Sequence, residues 1–183
     1  VTIDMKNNHT RIHTTTSEPW KVTLVDTGYD TMTGGRLLRI RKFLTKGTFL
    51  MTYGDGVTDL DIGKVLAQHK KTGKSATLTA VHNTGRFGVL DVQKDFSVRS
   101  FLEKPRGEES WINAGFFALE PDVLDYIDGE MTVWERGPLE KLAKSGQLAA
   151  YKHSGFWKCM DTLRDKIELE RMWQAGNAPW KVW

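Results

Sequence analysis

The chain has 183 residues, 39% hydrophobic and 27% charged, enough for a single domain over 1–183 whose core needs no disulfide or metal staple. Its 26 Lys+Arg against 23 Asp+Glu leave a formal charge of +3 with no clustered basic patch, which argues against a nucleic-acid partner. The one cysteine, Cys159, allows no internal bridge and fits a reducing, cytoplasmic setting, and no apolar run approaches the roughly 20 residues of a membrane span.

Val1 to Met5 alternates apolar and polar residues and predicts a half-buried strand, entered without a methionine. Lys6 to Pro19 is polar and reads as an excursion or hairpin. Lys21 to Val25 predicts a second strand, closed by Asp26-Thr27-Gly28. Thr33 to Leu44 predicts a helix with Gly34-Gly35 at its entrance; its basic residues Arg36, Arg39, Arg41 and Lys42 recur at helical spacing as a solvated face. Thr48 to Tyr53 is a continuous apolar run between glycines, the pattern of a strand buried on both faces.

A helix is expected over Ile62 to Thr72, capped by Asp61, and a strand over Ser75 to Val81, together a βαβ signature. Phe87 to Val92 and Ser97 to Leu102 resemble a hairpin, and Ile112 to Leu119 is another strand. Pro121 and Pro138 suit the first turns of two helices, over Asp122 to Ile127 and from Pro138 to Ser145-Gly146. Leu148 to His153 reads as a strand and Leu163 to Ala175 as a helix capped by Asp161 and Thr162. The expected fold is α/β with a mixed, mostly parallel sheet.

In open α/β sheets ligands bind beyond the carboxyl ends of the strands. That directs attention to Tyr53-Gly54-Asp55-Gly56, in which Asp55 is either a Mg²⁺ ligand beside phosphates or a turn residue. Asp59-Leu60-Asp61 is a D-x-D, but its place before an amphipathic helix favours capping. Glu103-Lys104-Pro105 ends a strand, where Lys104 can meet a phosphate as a point charge and Glu103 can accept sugar hydroxyls. Asn113 can bond a sugar hydroxyl and Gly115 can admit a ring; alternatively Asn113 is satisfied by backbone and Gly115 marks a bulge. Asp161 is either a second metal carboxylate or an N-cap. No Ser/His/Asp or Cys/His constellation is present, and no histidine spacing favours zinc.

The order of these segments is more specific than any of them. V-T-L-V-D-T-G, M-T-G-G-R, Y-G-D-G, G-R-F-G-V-L-D, F-L-E-K-P, I-N-A-G-F-F and W-K-C-M-D-T-L-R-D together resemble the sugar-phosphate nucleotidyltransferase family, in its glucose-1-phosphate cytidylyl branch. The resemblance implies a Rossmann-like three-layer α/β/α fold and the reaction of CTP with α-D-glucose 1-phosphate to CDP-glucose and pyrophosphate. It implies Mg²⁺ on Asp55 and Asp161, with Glu103 and Lys104 on the sugar phosphate and Asn113 and Gly115 near the sugar. Thr33, Gly34, Gly35, Arg36 and Gly54 match the nucleotide side, Arg36 facing phosphates or a subunit boundary. A cytoplasmic homo-oligomer serving bacterial surface-polysaccharide (O-antigen) synthesis is expected. A uridylyl or guanylyl relative, or a non-catalytic sugar-phosphate-binding module, is the alternative.

The sequence departs from the family at its start. The glycine-rich G-G-x-G-T-R loop that grips the triphosphate, and the first βα units of the sheet, are not found in it. The chain therefore reads as the C-terminal portion of such an enzyme, with the sugar-phosphate half of the site retained.

Overall fold

The computed structural model describes residues 1–13, 20–82 and 111–182, together with the backbone of 89–92 and 98–102. Its main sheet has four strands in the order β3-β8-β5-β9: β3 (Phe49–Thr52), β8 (Trp111–Leu119), β5 (Ala76–His82) and β9 (Leu148–His153). β8 runs antiparallel to β3 and to β5, and β5 and β9 pair in parallel. Three of the four strands thus point the same way, with β8 reversed between them, so the expected mixed α/β sheet is found. Helix α2 (Ile62–Thr72) runs between β3 and β5, and α3 (Pro138–Lys144) lies between β8 and β9 in sequence.

The core forms where the sheet meets α1 (Thr33–Arg39), α3 and a 3-10 turn over Pro121–Tyr126. Trp134, Leu119, Val123 and Leu142 are fully buried there, and the Phe117 and Trp134 rings meet edge-on at 6.2 Å. Each such aliphatic or aromatic side chain contributes about 1.5–3 kcal/mol by leaving water. A polar thread crosses the other side of β5: buried His69 of α2 contacts Thr77 Oγ1 at 2.9 Å through Nδ1 and Glu120 Oε1 at 3.1 Å through Nε2. Asp61 caps α2, its Oδ1 accepting from Lys64 N at 3.2 Å, as its position in the sequence predicts.

Four expectations need correction. The segment Lys21 to Val25 forms no strand, and Trp20, Val22 and Leu24 are largely exposed, because no ladder partner flanks it among the described residues. The opening strand, β1 (Thr2–Asp4), pairs only with β2 (His9–Arg11) in a small hairpin, and Ile3 is exposed rather than half-buried. β3 is not buried on both faces: its burial alternates, and Leu50 on the outer face is 50% exposed. The helix expected over 33–44 ends at Arg39 and tightens into a 3-10 turn at Arg41–Phe43, which turns both Ile40 and Leu44 toward the core while Arg41 pairs with Asp125.

The remaining elements fall close to their predicted places. β6 (Val89–Val92) and β7 (Val98–Leu102) form the predicted antiparallel hairpin. β4 (Gly56–Thr58) and β10 (Trp157–Cys159) make a second antiparallel ribbon that the sequence does not announce. Helix α4 (Leu163–Gln174) follows it directly.

Candidate functional site

The β4/β10 ribbon decides the geometry of the site. Cys159 pairs with Gly56, and one step further Met160 N donates to Asp55 O at 2.8 Å. Asp55 and Asp161, far apart in sequence, therefore lie at the same end of one ribbon, and both are exposed. Asp161 is not the cap of α4, as had been one reading of its position. Thr162 caps the helix in a reciprocal box: its Oγ1 accepts from Asp165 N at 3.2 Å, and Asp165 Oδ2 accepts from Thr162 N at 3.0 Å. Asp161 lies one residue outside, accepting from Cys159 Sγ at 3.1 Å. The D-x-D pair is engaged elsewhere, with Asp61 in the α2 cap and Asp59 Oδ1 2.9 Å from His153 Nε2, without the alignment of a hydrogen bond.

A tryptophan locks this ribbon to the main sheet. At Gly115 (φ +79°) β8 bulges, so that the register against β5 shifts between Leu78 and Ala80. The bulge turns the Ala114 carbonyl off the ladder, and Trp157 Nε1 of β10 donates to it at 2.9 Å. The glycine is required twice, by its positive φ and by a close neighbour: a Cβ there would stand 2.5 Å from the Tyr53 ring. The ring that Gly115 admits in this fold is that of Tyr53.

Tyr53 leads from β3 into the Gly54-Asp55 turn, and its hydroxyl is the centre of a directional hydrogen-bond chain. Asn113 Nδ2 donates to the Tyr53 hydroxyl at 3.3 Å, and that hydroxyl donates to Glu135 Oε1. Glu135 Oε2 accepts from Thr33 Oγ1 at 3.1 Å, and Thr33 Oγ1 in turn accepts from Trp134 N at 2.8 Å. Asn113 Oδ1 is held by Gly115 N at 2.9 Å, so the amide is oriented from both ends. Burial, and after it the hydrogen bond and charge of Glu135, hold the Tyr53 phenol well above its ordinary pKa.

On the α1 side of β3 lies a cavity of about 200 Å³ lined by Thr27, Thr33, Arg36, Tyr53 and Trp134 among others. Thr33 and Arg36 are exposed to it, and Arg36 is oriented by Thr27 Oγ1 at 2.7 Å and Tyr29 O at 3.2 Å. Gly34 and Gly35 are placed differently. Both are buried, and their amides donate to Thr132 O at 2.9 and 3.3 Å, so these N–H groups already have partners within the fold. Gly54 sits in the open, with nothing within 4 Å of where a Cβ would be. Glu103 and Lys104 lie outside the described residues.

Two carboxylates at the end of the ribbon fit a Mg²⁺ ion, which commonly takes one or two protein carboxylates and completes its shell with water and substrate phosphates. Among the described residues no group of three or more His, Cys, Asp or Glu converges on one point, so a site held by protein ligands alone is not found there. No helix among the described residues is long and apolar enough to cross a membrane. The motif residues Tyr53 and Trp157 were visible in the sequence as parts of Y-G-D-G and W-K-C-M-D. Glu135 carried no signal, because its partners Thr33 and Tyr53 come from two distant segments.

The chain is 54% identical over 184 residues to the glucose-1-phosphate cytidylyltransferase of Salmonella typhi, covering 100% of this chain and 71% of that protein. It is 31% identical over 131 residues to the mannose-1-phosphate guanylyltransferase catalytic subunit beta of Xenopus tropicalis, covering 68% of this chain and 36% of that protein. In fold it resembles the crystal structure of HddC from Yersinia pseudotuberculosis, with a TM-score of 0.57 at 22% identity, over 76% of this chain and 61% of that one. The family model for nucleotidyl transferase matches residues 26–163, which include Asp55, the Thr33–Glu135–Tyr53–Asn113 chain and Asp161. The chain belongs to the nucleotidyl transferase family.

Proposed function

We propose that this chain carries out cytidylyl transfer from CTP to α-D-glucose 1-phosphate, with CDP-glucose and pyrophosphate as products. The observation that carries the reading is the placement of Asp55 and Asp161 at the same end of the β4/β10 ribbon, in a chain 54% identical to a named glucose-1-phosphate cytidylyltransferase. A phosphate oxygen of the sugar phosphate attacks the α-phosphorus of the nucleotide in line, and pyrophosphate leaves. Such a transfer depends on positioning and charge neutralisation and needs no protein nucleophile.

Asp55 and Asp161 would hold Mg²⁺, which when bound neutralises charge on the phosphates. Thr33 and Arg36 face the cavity beside β3 and would contact the nucleotide, Arg36 as a cation for its phosphates. Gly54 leaves the backbone open to a phosphate next to Asp55. Asn113 presents a fixed amide to the sugar, and by resemblance Glu103 and Lys104 hold the sugar hydroxyls and the phosphate. A homo-oligomer in the cytoplasm, supplying a nucleotide sugar for surface polysaccharide, completes the reading.

Pyrophosphate release by the intact natural protein, measured with glucose 1-phosphate and each of CTP, UTP and GTP, tests it. CTP should be preferred, and D55N or D161N should lower turnover about a hundredfold or more, as loss of several kcal/mol of charge stabilisation implies. Preference for UTP or GTP would transfer the protein to the uridylyl or guanylyl relatives. No release with any of the three would favour a binding module.

A further inference from the structure

Resting on that reading, we propose that Glu135 is a positioning residue that couples the two substrate subsites. One of its carboxylate oxygens accepts from Thr33, on the nucleotide side, and the other from Tyr53, which in turn receives Asn113 from the sugar side. Glu135 is the point through which both halves are linked, because no other described side chain bonds Thr33 and Tyr53 together.

The chain of donors has a fixed direction. Thr33 Oγ1 is an acceptor toward Trp134 N, so its own hydrogen must go to Glu135. Asn113 spends its Oδ1 on Gly115 N, so it meets Tyr53 as a donor, and the Tyr53 hydrogen is then directed to Glu135. Both arms end on an acceptor, and only an ionised carboxylate supplies two acceptor oxygens with no hydrogen of its own. The half-buried setting of the Tyr53 arm strengthens its bond and makes a missing acceptor costly there, while the Thr33 arm is exposed. An amide at this position would offer one oxygen and one NH₂, so one arm would face a donor and rotate away. The loss falls on orientation of Thr33 or Asn113 and not on the reacting atoms, so it should appear in substrate affinity rather than in the chemical step.

The test is steady-state pyrophosphate release by the intact natural protein, with CTP and glucose 1-phosphate varied independently. In E135A, which removes both acceptors, the KM values for both substrates should rise roughly tenfold, the equivalent of one charge-assisted hydrogen bond each, while kcat stays within about twofold; E135Q, which keeps one acceptor, should raise one of the two. Y53F should raise the KM for glucose 1-phosphate only, since Thr33 keeps its bond to Glu135; T33V should raise that for CTP only. A purely structural role for Glu135 would instead lower the amount of folded protein and leave both KM values unchanged, which overturns the proposal. So would a fall in kcat alone, or a rise in one KM only in E135A. Should E135A not fold, Y53F decides: an unchanged KM for glucose 1-phosphate, or an equal rise for CTP, overturns it. A wild-type protein that releases no pyrophosphate from CTP and glucose 1-phosphate overturns the reaction and this inference with it, whereas turnover by wild type with unmoved variants overturns the inference alone.

Discussion

Alanine at position 35 adds one methyl group where the fold leaves no room for it. A Cβ built on Gly35 lies 2.7 Å from both the carbonyl carbon and the Cα of Glu130, and closer still to its oxygen. Carbon atoms settle at about 3.5–4.0 Å, so the two segments must part by the order of an ångström. The obstructing atoms are backbone, which no rotamer change removes. Three bonds tie α1 to this segment: Met32 N to Glu130 O at 3.0 Å, and Gly34 N and Gly35 N to Thr132 O at 2.9 and 3.3 Å. Overpacking costs about 1–3 kcal/mol, and weakening these bonds adds about 1–2 kcal/mol. Better helix propensity returns about 1 kcal/mol, leaving a net loss of about 1–4 kcal/mol. For a chain of this length that lowers the melting temperature by about 2–16 °C. Thermal melts followed by circular dichroism, with urea titrations to confirm an unchanged m-value, measure it. G54A is the matched control, because nothing lies within 4 Å of its Cβ position, and its stability should stay within about 0.5 kcal/mol of wild type. If G35A melted within about 2 °C of wild type, close packing would not be the reason for that glycine.

Three further outcomes are expected. T162A removes the hydroxyl half of the capping box, the Oγ1 bonds to Asp165 N and Oδ2, and leaves the backbone half; it should cost about 1–2 kcal/mol in urea unfolding, with T162S restoring most of it. W157F deletes the indole bond to Ala114 O, one tie between the ribbon and the sheet; it should cost about 1–2 kcal/mol in stability and lower pyrophosphate release beyond that, because Asp55 and Asp161 ride on the ribbon. Tyr53 keeps its proton in the folded state after the unfolded chain has lost it, so its contribution is intact below about pH 10 and falls as the pH rises through the raised value, by at most about 1.4 kcal/mol per pH unit. Urea titrations between about pH 9 and 11 should therefore show wild type losing stability faster than Y53F; parallel slopes would contradict the assigned environment of the phenol.

Local signals in the sequence located most elements. Asp61 before an amphipathic run, Pro121 and Pro138 at helix starts, and the two neighbouring strand-like runs that end at Val92 and Leu102 depend on interactions close in sequence, and the described residues reproduce them. The misplaced readings share a cause. Lys21 to Val25 has the composition of a strand, and Thr48 to Tyr53 that of a doubly buried one, but pairing and burial are supplied by distant segments and not by composition.

The sequence by itself determined the α/β class, the likeness to a nucleotidyl transferase and the candidate carboxylates, because spacing and motif order are properties of the chain. Only the tertiary structure decided what those residues meet. The β4/β10 register sets Asp55 and Asp161 at one end, and Thr162 takes the cap that Asp161 was one candidate to fill. The β8 bulge gives Tyr53 the space that Gly115 leaves. Glu135, silent in the sequence, joins Thr33 to Tyr53 and through it to Asn113, because a hydrogen bond depends on which atoms the folded backbone brings within about 3 Å and not on how far apart they lie along the chain.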